Sequence, residues 1–337
     1  MKLMSDSKHI FIVGSSRSGT TMMGRILSNN SKVFTFRELH FFGKIWSNSI
    51  DIKLSKKDQL KMMSRLLCIQ KKGIFNYKDY SEFNSKSRDI IGSGVSDPLK
   101  LYSLFLEYVT EKNGAIISCE QTPSNLYYLK EILAYFPNAK VINLVRDQRD
   151  VLLSQKNKWR RRFLGANAIP LFESFRSYVN YHPILTAKVW NSSLNLTYSY
   201  INHPNVKVIK FEKLLKDSED CVKDICNFLN IEFNSKMLKV PLLGSSTQLD
   251  SKSKMVIDKE KISKWKNGGL NQSEIYLSQI FSSTMMDQFE YKKKSFLRPP
   301  LLVVFYLISF PFKLVLAFFF NLHRVSSINE IIKKRFF

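Results

Sequence analysis

A chain of 337 residues with 44% apolar residues can bury one large core or two small ones, which excludes a disordered chain. Fifty-two Lys and Arg against 28 Asp and Glu leave a formal charge of +24, which predicts an anionic partner: a phosphorylated ligand, nucleic acid or an acidic membrane face. Cys68, Cys119, Cys221 and Cys226 form no CxxC pair and have no His at zinc spacing, so neither a metal knuckle nor a disulfide framework is expected and a reducing compartment is the default.

From the N-terminus, the apolar run at residues 10–13 ends at Gly14; it is too short for a secretory signal and reads as a strand. Further short runs rich in β-branched residues predict strands at 33–36, 115–118, 141–145 and 206–211. Helices are expected after Thr20, after Ser124, after Asp147, across 171–201, after Asp217 and after Ser273. This alternation predicts an α/β chain of three layers, with a mostly parallel central sheet flanked by helices. Residues 43–100 read as an insertion that shapes a substrate site, and the Ser- and Lys-rich stretch 241–254 reads as a loop.

From Leu301 to Phe320 the sequence is interrupted only by Ser309, Pro311 and Lys313 apart from apolar and aromatic residues, and it is long enough to cross a bilayer. Its fifteen Leu, Ile, Val and Phe residues outweigh one central Lys on the insertion scale, Pro311 is expected to kink a helix, and basic residues lie on both sides. A kinked span, an interfacial segment and a helix buried on the domain all fit this pattern. The expected division is a domain over 1–297, a membrane-associated segment over 298–322 and a basic tail over 323–337. With an anchor of this kind behind a domain without a signal, the expected location is the cytoplasm, at a membrane surface.

Two segments carry chemistry. In the first, a strand enters Gly14-Ser-Ser-Arg17-Ser18-Gly19-Thr20-Thr21 and the loop opens a helix, so backbone N–H groups and the helix N-terminus converge on a space suited to an anion. The spacing is that of a nucleotide-binding loop, but Thr20 stands where a triphosphatase has Lys, which disfavours a γ-phosphate site. Arg17 supplies a planar cation from within the loop, although a Ser/Gly turn that merely caps a helix has the same composition. In the second, the strand at 141–145 ends in Arg146-Asp147-Gln-Arg149-Asp150, and Ser154 follows eight residues after Arg146, about two helical turns on, where both can meet one phosphate. An Arg–Asp surface ion pair is the plainer reading of that segment alone.

Together the RSGTT loop and the VRDxRDxxxS segment resemble the sulfotransferases that use 3′-phosphoadenylyl sulfate, and the layout is similar to the tyrosylprotein sulfotransferase-like branch. Supporting likenesses are Tyr135-Phe-Pro-Asn-Ala-Lys140, the strand running into Phe211-Glu212, and Ser263-Lys264-Trp265. The resemblance covers roughly residues 9–291. It implies that Arg17, Ser18, Gly19, Thr20 and Thr21 grip the 5′-phosphosulfate, that Arg146 and Ser154 bind the 3′-phosphate, and that Lys264 reaches the phosphates with Ser251 or Ser253 as a helper. It implies adenosine 3′,5′-bisphosphate as product and no metal. Glu38 lies twenty-one residues after Arg17, the interval at which that branch carries its catalytic glutamate, and a carboxylate there suits the abstraction of a hydroxyl proton. A salt bridge to Arg37 or Arg17 is the bland alternative for Glu38, and His40 is the rival base.

The chain departs from that branch at Gln121, where a lysine is expected, and at His40 and Lys44, where arginines are expected. Charge stabilisation then rests more heavily on Arg17, and tyrosine is disfavoured as acceptor against a carbohydrate, glycolipid or other alcohol. The competing functions are a nucleotide-dependent kinase and a membrane-tethered anion-binding protein. No nucleic-acid-binding pattern is visible, so a nucleic-acid partner is not expected.

Overall fold

The computed structural model describes residues 8–46, 53–76 and 79–322, so the expected basic tail over 323–337 lies outside the described residues. In chain order the first half comprises β1 (Lys8–Gly14), α1 (Thr20–Ser28), β2 (Val33–Thr35), α2 (Lys56–Lys72), α3 (Asn84–Ile91), α4 (Pro98–Lys112), β3 (Ile117–Glu120) and α5 (Leu129–Tyr135). Then follow β4 (Lys140–Val145), α6 (Gln148–Lys156), α7 (Leu171–Val179), α8 (Pro183–Ser199), β5 (Val206–Lys210), α9 (Phe211–Lys216) and α10 (Ser218–Leu229). The last elements are β6 (Pro241–Leu242), β7 (Ser251–Met255), α11 (Gln272–Phe281), α12 (Ser283–Gln288) and α13 (Val303–Asn321).

Alternation along β1 decides the layering. Ile10 and Ile12 face one core with Met23, Ile26 and Leu27 of α1 and the apolar stripe of α10, while Phe11 and Val13 face the other with α2, α4 and α5. The sheet is wholly parallel in the order β2-β3-β1-β4-β5, as a strand buried on both faces requires. From β1 the chain turns to one side for β2 and β3 and to the other for β4 and β5. The crevice beyond the carboxyl end of β1, between β3 and β4, is therefore the switch point at which such sheets bind ligands.

Gly14 ends β1 at φ +148°, and a Cβ there would lie 2.3 Å from the Leu144 carbonyl oxygen of β4. No side chain fits without parting the two central strands. Gly14→Ala is expected to cost about 3 kcal/mol, combining backbone strain with the clash, read as a lowered urea midpoint with an unchanged slope.

Four expected boundaries shift. The strand expected at 115–118 is found at Ile117–Glu120, because Gly114 and Ala115 close α4 and the buried carboxylate of Glu120 is satisfied by four donors rather than excluded by its charge. The helix expected across 171–201 is two helices: His182 is extended at φ −156° and Pro183 opens α8 at a position that lacks an amide hydrogen-bond requirement. The helix expected after Ser124 begins as a tight 3-10 turn over Pro123–Tyr128 before α5. The expected loop over 241–254 carries the short antiparallel pair of β6 and β7. Within 43–100, α2 contributes Met62, Met63 and Leu66 to the sheet core, while Lys72 and Gly73 reach a cleft described below.

Candidate active site

The shape of the loop between β1 and α1 is set by its own backbone. Gly19 caps α1 in the left-handed region at φ +96° and packs against Phe211, where a Cβ would lie 2.2 Å from the ring. Arg17 is also left-handed, at φ +75°, a conformation uncommon for a residue with a side chain. The first turn of α1 carries no acidic residue, so the positive end of its dipole is left unopposed by its own side chains. Ser18 is fully buried and its hydroxyl has no hydrogen-bond partner among the described residues.

Residues from distant segments converge here. Arg17 donates through Nε to Ser154 Oγ at 2.9 Å and through Nη2 to the Gly244 carbonyl at 2.8 Å. Arg146, at the end of β4, donates to the Arg17 carbonyl at 3.2 Å and the Lys261 carbonyl at 3.0 Å, and stacks on Phe211 at 4.7 Å. Its Nε has no partner among the described residues. Ser154 also meets Ser246 Oγ at 3.0 Å. The structure thus brings Arg17, Arg146 and Ser154 together, as the spacing implies.

The other charges of the RDQRD segment hold the frame. Arg149 pairs with Asp147 at 2.6 Å and lies on the Trp265 ring, and Asp150 accepts from the Trp265 amide at 2.9 Å. That last bond ties the turn bearing Lys264 to α6. Glu212 accepts from the Asp147 amide at 2.8 Å and from Tyr291 OH at 3.2 Å, so it ties β5 to β4. Ser251 and Ser253 bond each other, and it is Ser246 and Gly244 of the same loop that reach Ser154 and Arg17.

Burial and mutual repulsion both act on the cations of this cluster. Burial, Arg161 and Arg146 push the Arg17 guanidinium down to about 9 against the opposing pull of Glu38 and Asp250; it stays protonated at neutral pH, but at a cost. Lys261 is lowered by burial and by Arg146, Lys264 and Arg17, with Asp258 opposing. Like charges held this closely oppose one another in the folded chain, a cost that a polyanion among them would offset. Arg161, Lys261 and Ser246 were not legible as site residues: each stands in a segment without a motif and is brought in by tertiary contact.

A cleft of about 1500 Å³ adjoins the loop, lined by Ser15, Ser16 and Thr21, by Glu38, His40 and Lys44, by Lys158 and Arg161, and by residues of α7, α8 and α13. Glu38 presents a half-exposed carboxylate, with Oε2 3.3 Å from His40 Nε2. Burial raises the Glu38 carboxyl, but the hydrogen bond and charge of His40 with Lys158 and Arg161 outweigh it, so it lies below its ordinary value and is ionised at neutral pH. His40 itself is left-handed at φ +49°. Its amide donates to Thr122 Oγ1 at 3.2 Å. Gln121 bonds the Phe36 carbonyl at 3.0 Å and packs against Gly24, so it bridges β2 and α1 rather than supplying charge.

Glu120 holds the segment that carries Glu38. Its carboxylate accepts from the amides of Leu39 and Thr122 at 3.2 and 3.1 Å, and from Thr122 Oγ1 and Asn125 Nδ2. Burial pushes this carboxyl from 4.5 up to about 7, against the donors that favour its charge. Between those values the folded chain binds a proton that the unfolded chain has lost. Its contribution is therefore intact below about pH 4.5 and falls by about 3 kcal/mol as pH rises through 7. Thermal unfolding across this range should show that downward component in the native sequence and lose it in Glu120→Gln.

A wholly parallel sheet flanked by helices, with a glycine-bounded loop at its switch point and a second cation at the end of β4, defines an α/β protein of P-loop-like fold. The sulfotransferase family model matches residues 9–235, and the chain belongs to the sulfotransferase family. It is 28% identical over 151 residues to mouse sulfotransferase 2A6, covering 44% of this chain and 50% of that protein, so the match spans half the length of that curated relative. Among solved structures, the sulfotransferase domain of the curacin biosynthetic pathway aligns with a TM-score of 0.53 at 20% identity, over 85% of this chain and 98% of that one. The sulfotransferase domain of the Synechococcus PCC 7002 olefin synthase aligns with a TM-score of 0.51 at 15% identity, over 87% and 98%. These likenesses show a shared fold.

Proposed function

We propose that the chain transfers the sulfuryl group of 3′-phosphoadenylyl sulfate to a hydroxyl acceptor, a carbohydrate, glycolipid or other alcohol rather than a protein tyrosine. The observation that carries this reading is the joining of Arg17, Arg146, Ser154, Lys261 and Lys264 into one cationic cluster beside a cleft that presents Glu38. Ser18, Gly19, Thr20 and Thr21 with Arg17 would hold the 5′-phosphosulfate at the α1 N-terminus. Arg146 and Ser154, with Ser246, would hold the 3′-phosphate, and Lys264 would reach the phosphates from the side.

In the reaction the acceptor oxygen attacks sulfur, its proton passes to the Glu38 carboxylate, and the bond from sulfur to the phosphate oxygen breaks to release adenosine 3′,5′-bisphosphate. Arg17 and the loop amides stabilise the charge that grows on the leaving phosphate. The scheme needs no metal. The chain is also expected to associate with a membrane through Leu301 to Phe320.

The test is release of adenosine 3′,5′-bisphosphate from the donor in the presence of a panel of alcohols. Acceptor-dependent release that disappears in Arg17→Ala supports the reading; since one hydrogen-bonding group of this kind contributes about 100-fold to 1000-fold in rate, the loss should be unmistakable. Release that no alcohol accelerates while ATP with magnesium is consumed would favour the kinase instead.

A further inference from the structure

Helix α7 is built inside out. Its polar residues Glu173, Ser174 and Arg176 are buried, whereas Leu171, Phe172, Phe175 and Tyr178 are 62%, 52%, 54% and 58% exposed. Alongside it, α13 is long and apolar enough to cross a membrane, yet it is attached to the domain along its length. Near one end Val303 packs with Ile184 and Leu277. Along the middle Lys313 donates to the Val179 carbonyl at 3.4 Å, and at the far end Asn321 bonds Asn180 at 3.1 Å and accepts from Arg176 at 2.6 Å. Tyr306 contributes its carbonyl to His182 at 3.1 Å and its hydroxyl to Asn271 at 3.0 Å. A helix that crossed the bilayer with these contacts intact would drag α7, α8 and the start of α11 into hydrocarbon with it. The outer faces of the two helices meet through Phe320, whose ring lies 6.1 Å from Phe172 and 5.7 Å from Phe175. They expose one apolar surface, larger than the single scattered residues of an ordinary soluble surface.

The same two helices line the cleft that presents Glu38. From α7 come Glu173, Arg176 and Asn180 just past its end, and from α13 come Leu314, Phe318 and Leu322 just past its end. The exposed cations Lys292, Lys294 and Arg298 precede α13, where Lys293 is paired with Asp287 at 2.6 Å, and Arg160 precedes α7. Positive charge beside an apolar platform fits the acidic headgroups and acyl boundary of a lipid leaflet.

We infer that α7 and α13 together form a platform that lies in the plane of an anionic leaflet, and that the acceptor is a membrane amphiphile whose hydroxyl head group enters the cleft beside α13 while its tail follows Leu314 and Phe318. This deepens the sulfotransferase reading and rests on it for the chemistry at the head group. It also separates α13 from a spanning anchor, since the platform needs α7.

The experiment uses the full chain. Flotation with phosphatidylcholine vesicles, with and without phosphatidylglycerol, should show binding that needs the anionic lipid and weakens at high salt. Leu171→Glu with Phe175→Glu, both on the exposed face of α7, should reduce that binding at least about tenfold with the sequence of α13 unchanged. Undiminished binding of this pair would overturn the platform in favour of a spanning α13. Calorimetry with alkyl glucosides of increasing chain length below their micelle thresholds should show affinity rising about threefold to fourfold per methylene. Phe318→Glu should abolish that dependence, and Phe312→Glu, whose side chain is 69% exposed away from the cleft residues, should leave it. Affinity independent of chain length would overturn the amphiphile. Binding of adenosine 3′,5′-bisphosphate is followed on every variant: if it persists while the lipid effects fail, the inference falls and the sulfotransferase reading stands; if the native chain does not bind it, the sulfotransferase reading falls by itself.

Discussion

Glu38→Gln should lower turnover by about 100-fold to 10,000-fold while leaving adenosine 3′,5′-bisphosphate affinity within about twofold of the native chain. Glutamine keeps the shape of the side chain and its contact with His40 but cannot accept the acceptor proton. Because His40 and the cations Lys158 and Arg161 hold Glu38 below its ordinary value, the native rate should stay flat as pH falls through 6 and drop only below the ordinary range of a carboxylate. His40→Gln provides the contrast. If His40 were the base, that variant and not Glu38→Gln would carry the large loss, and the native acid limb would lie near the imidazole range. Equal mild losses in both would remove the proton-transfer role from this pair.

Arg146→Ala should weaken adenosine 3′,5′-bisphosphate by about 30-fold to 1000-fold, the usual effect of removing one partner from a buried charge contact. ADP, which lacks the 3′-phosphate, should be little affected. The measurement is therefore the ratio of the two affinities by calorimetry, which should collapse toward one in the variant. Some loss will be indirect, since Arg146 also anchors the Arg17 and Lys261 carbonyls. Ser154→Ala removes the proposed 3′-phosphate hydroxyl, and with it the bond from Arg17 Nε, but leaves those carbonyls anchored, so a smaller loss confined to the bisphosphate separates recognition from the loss of the Arg146 anchors.

What was legible in the sequence is local in the chain. The β1 loop and the β4 segment each place a strand, a turn and a helix start within about twenty residues, so glycine positions and one or two cations are enough to read them. The parallel sheet followed from the alternation of apolar runs with helical stretches, and the resemblance to sulfotransferases reached the same fold. What was not legible is assembled across distance. Arg161 joins Arg17 across 144 positions, and Ser246 joins Ser154 across 92. Neither belongs to a pattern, since a lone Arg or Ser in an irregular stretch reads as surface. Glu120 misled the strand boundary because apolarity is a proxy for burial, and a carboxylate with four donors is buried without being apolar. Helix α7 shows the reverse: a periodic pattern announces which residues are alike, not which side faces the domain, and here the polar side faces in around the Glu173–Arg176 pair at 2.8 Å.

Family and fold leave the donor to be decided, and thermal unfolding of the full chain with adenosine 3′,5′-bisphosphate against ADP decides it. At about 100 times its dissociation constant a bound ligand adds about 2.7 kcal/mol of stability, which is well within reach of the method. A 3′-phosphate site at Arg146 should give a clear upward shift with the bisphosphate, a much smaller one with ADP, and no difference between them in Arg146→Ala. An equal or larger shift with ADP in the native chain would contradict it.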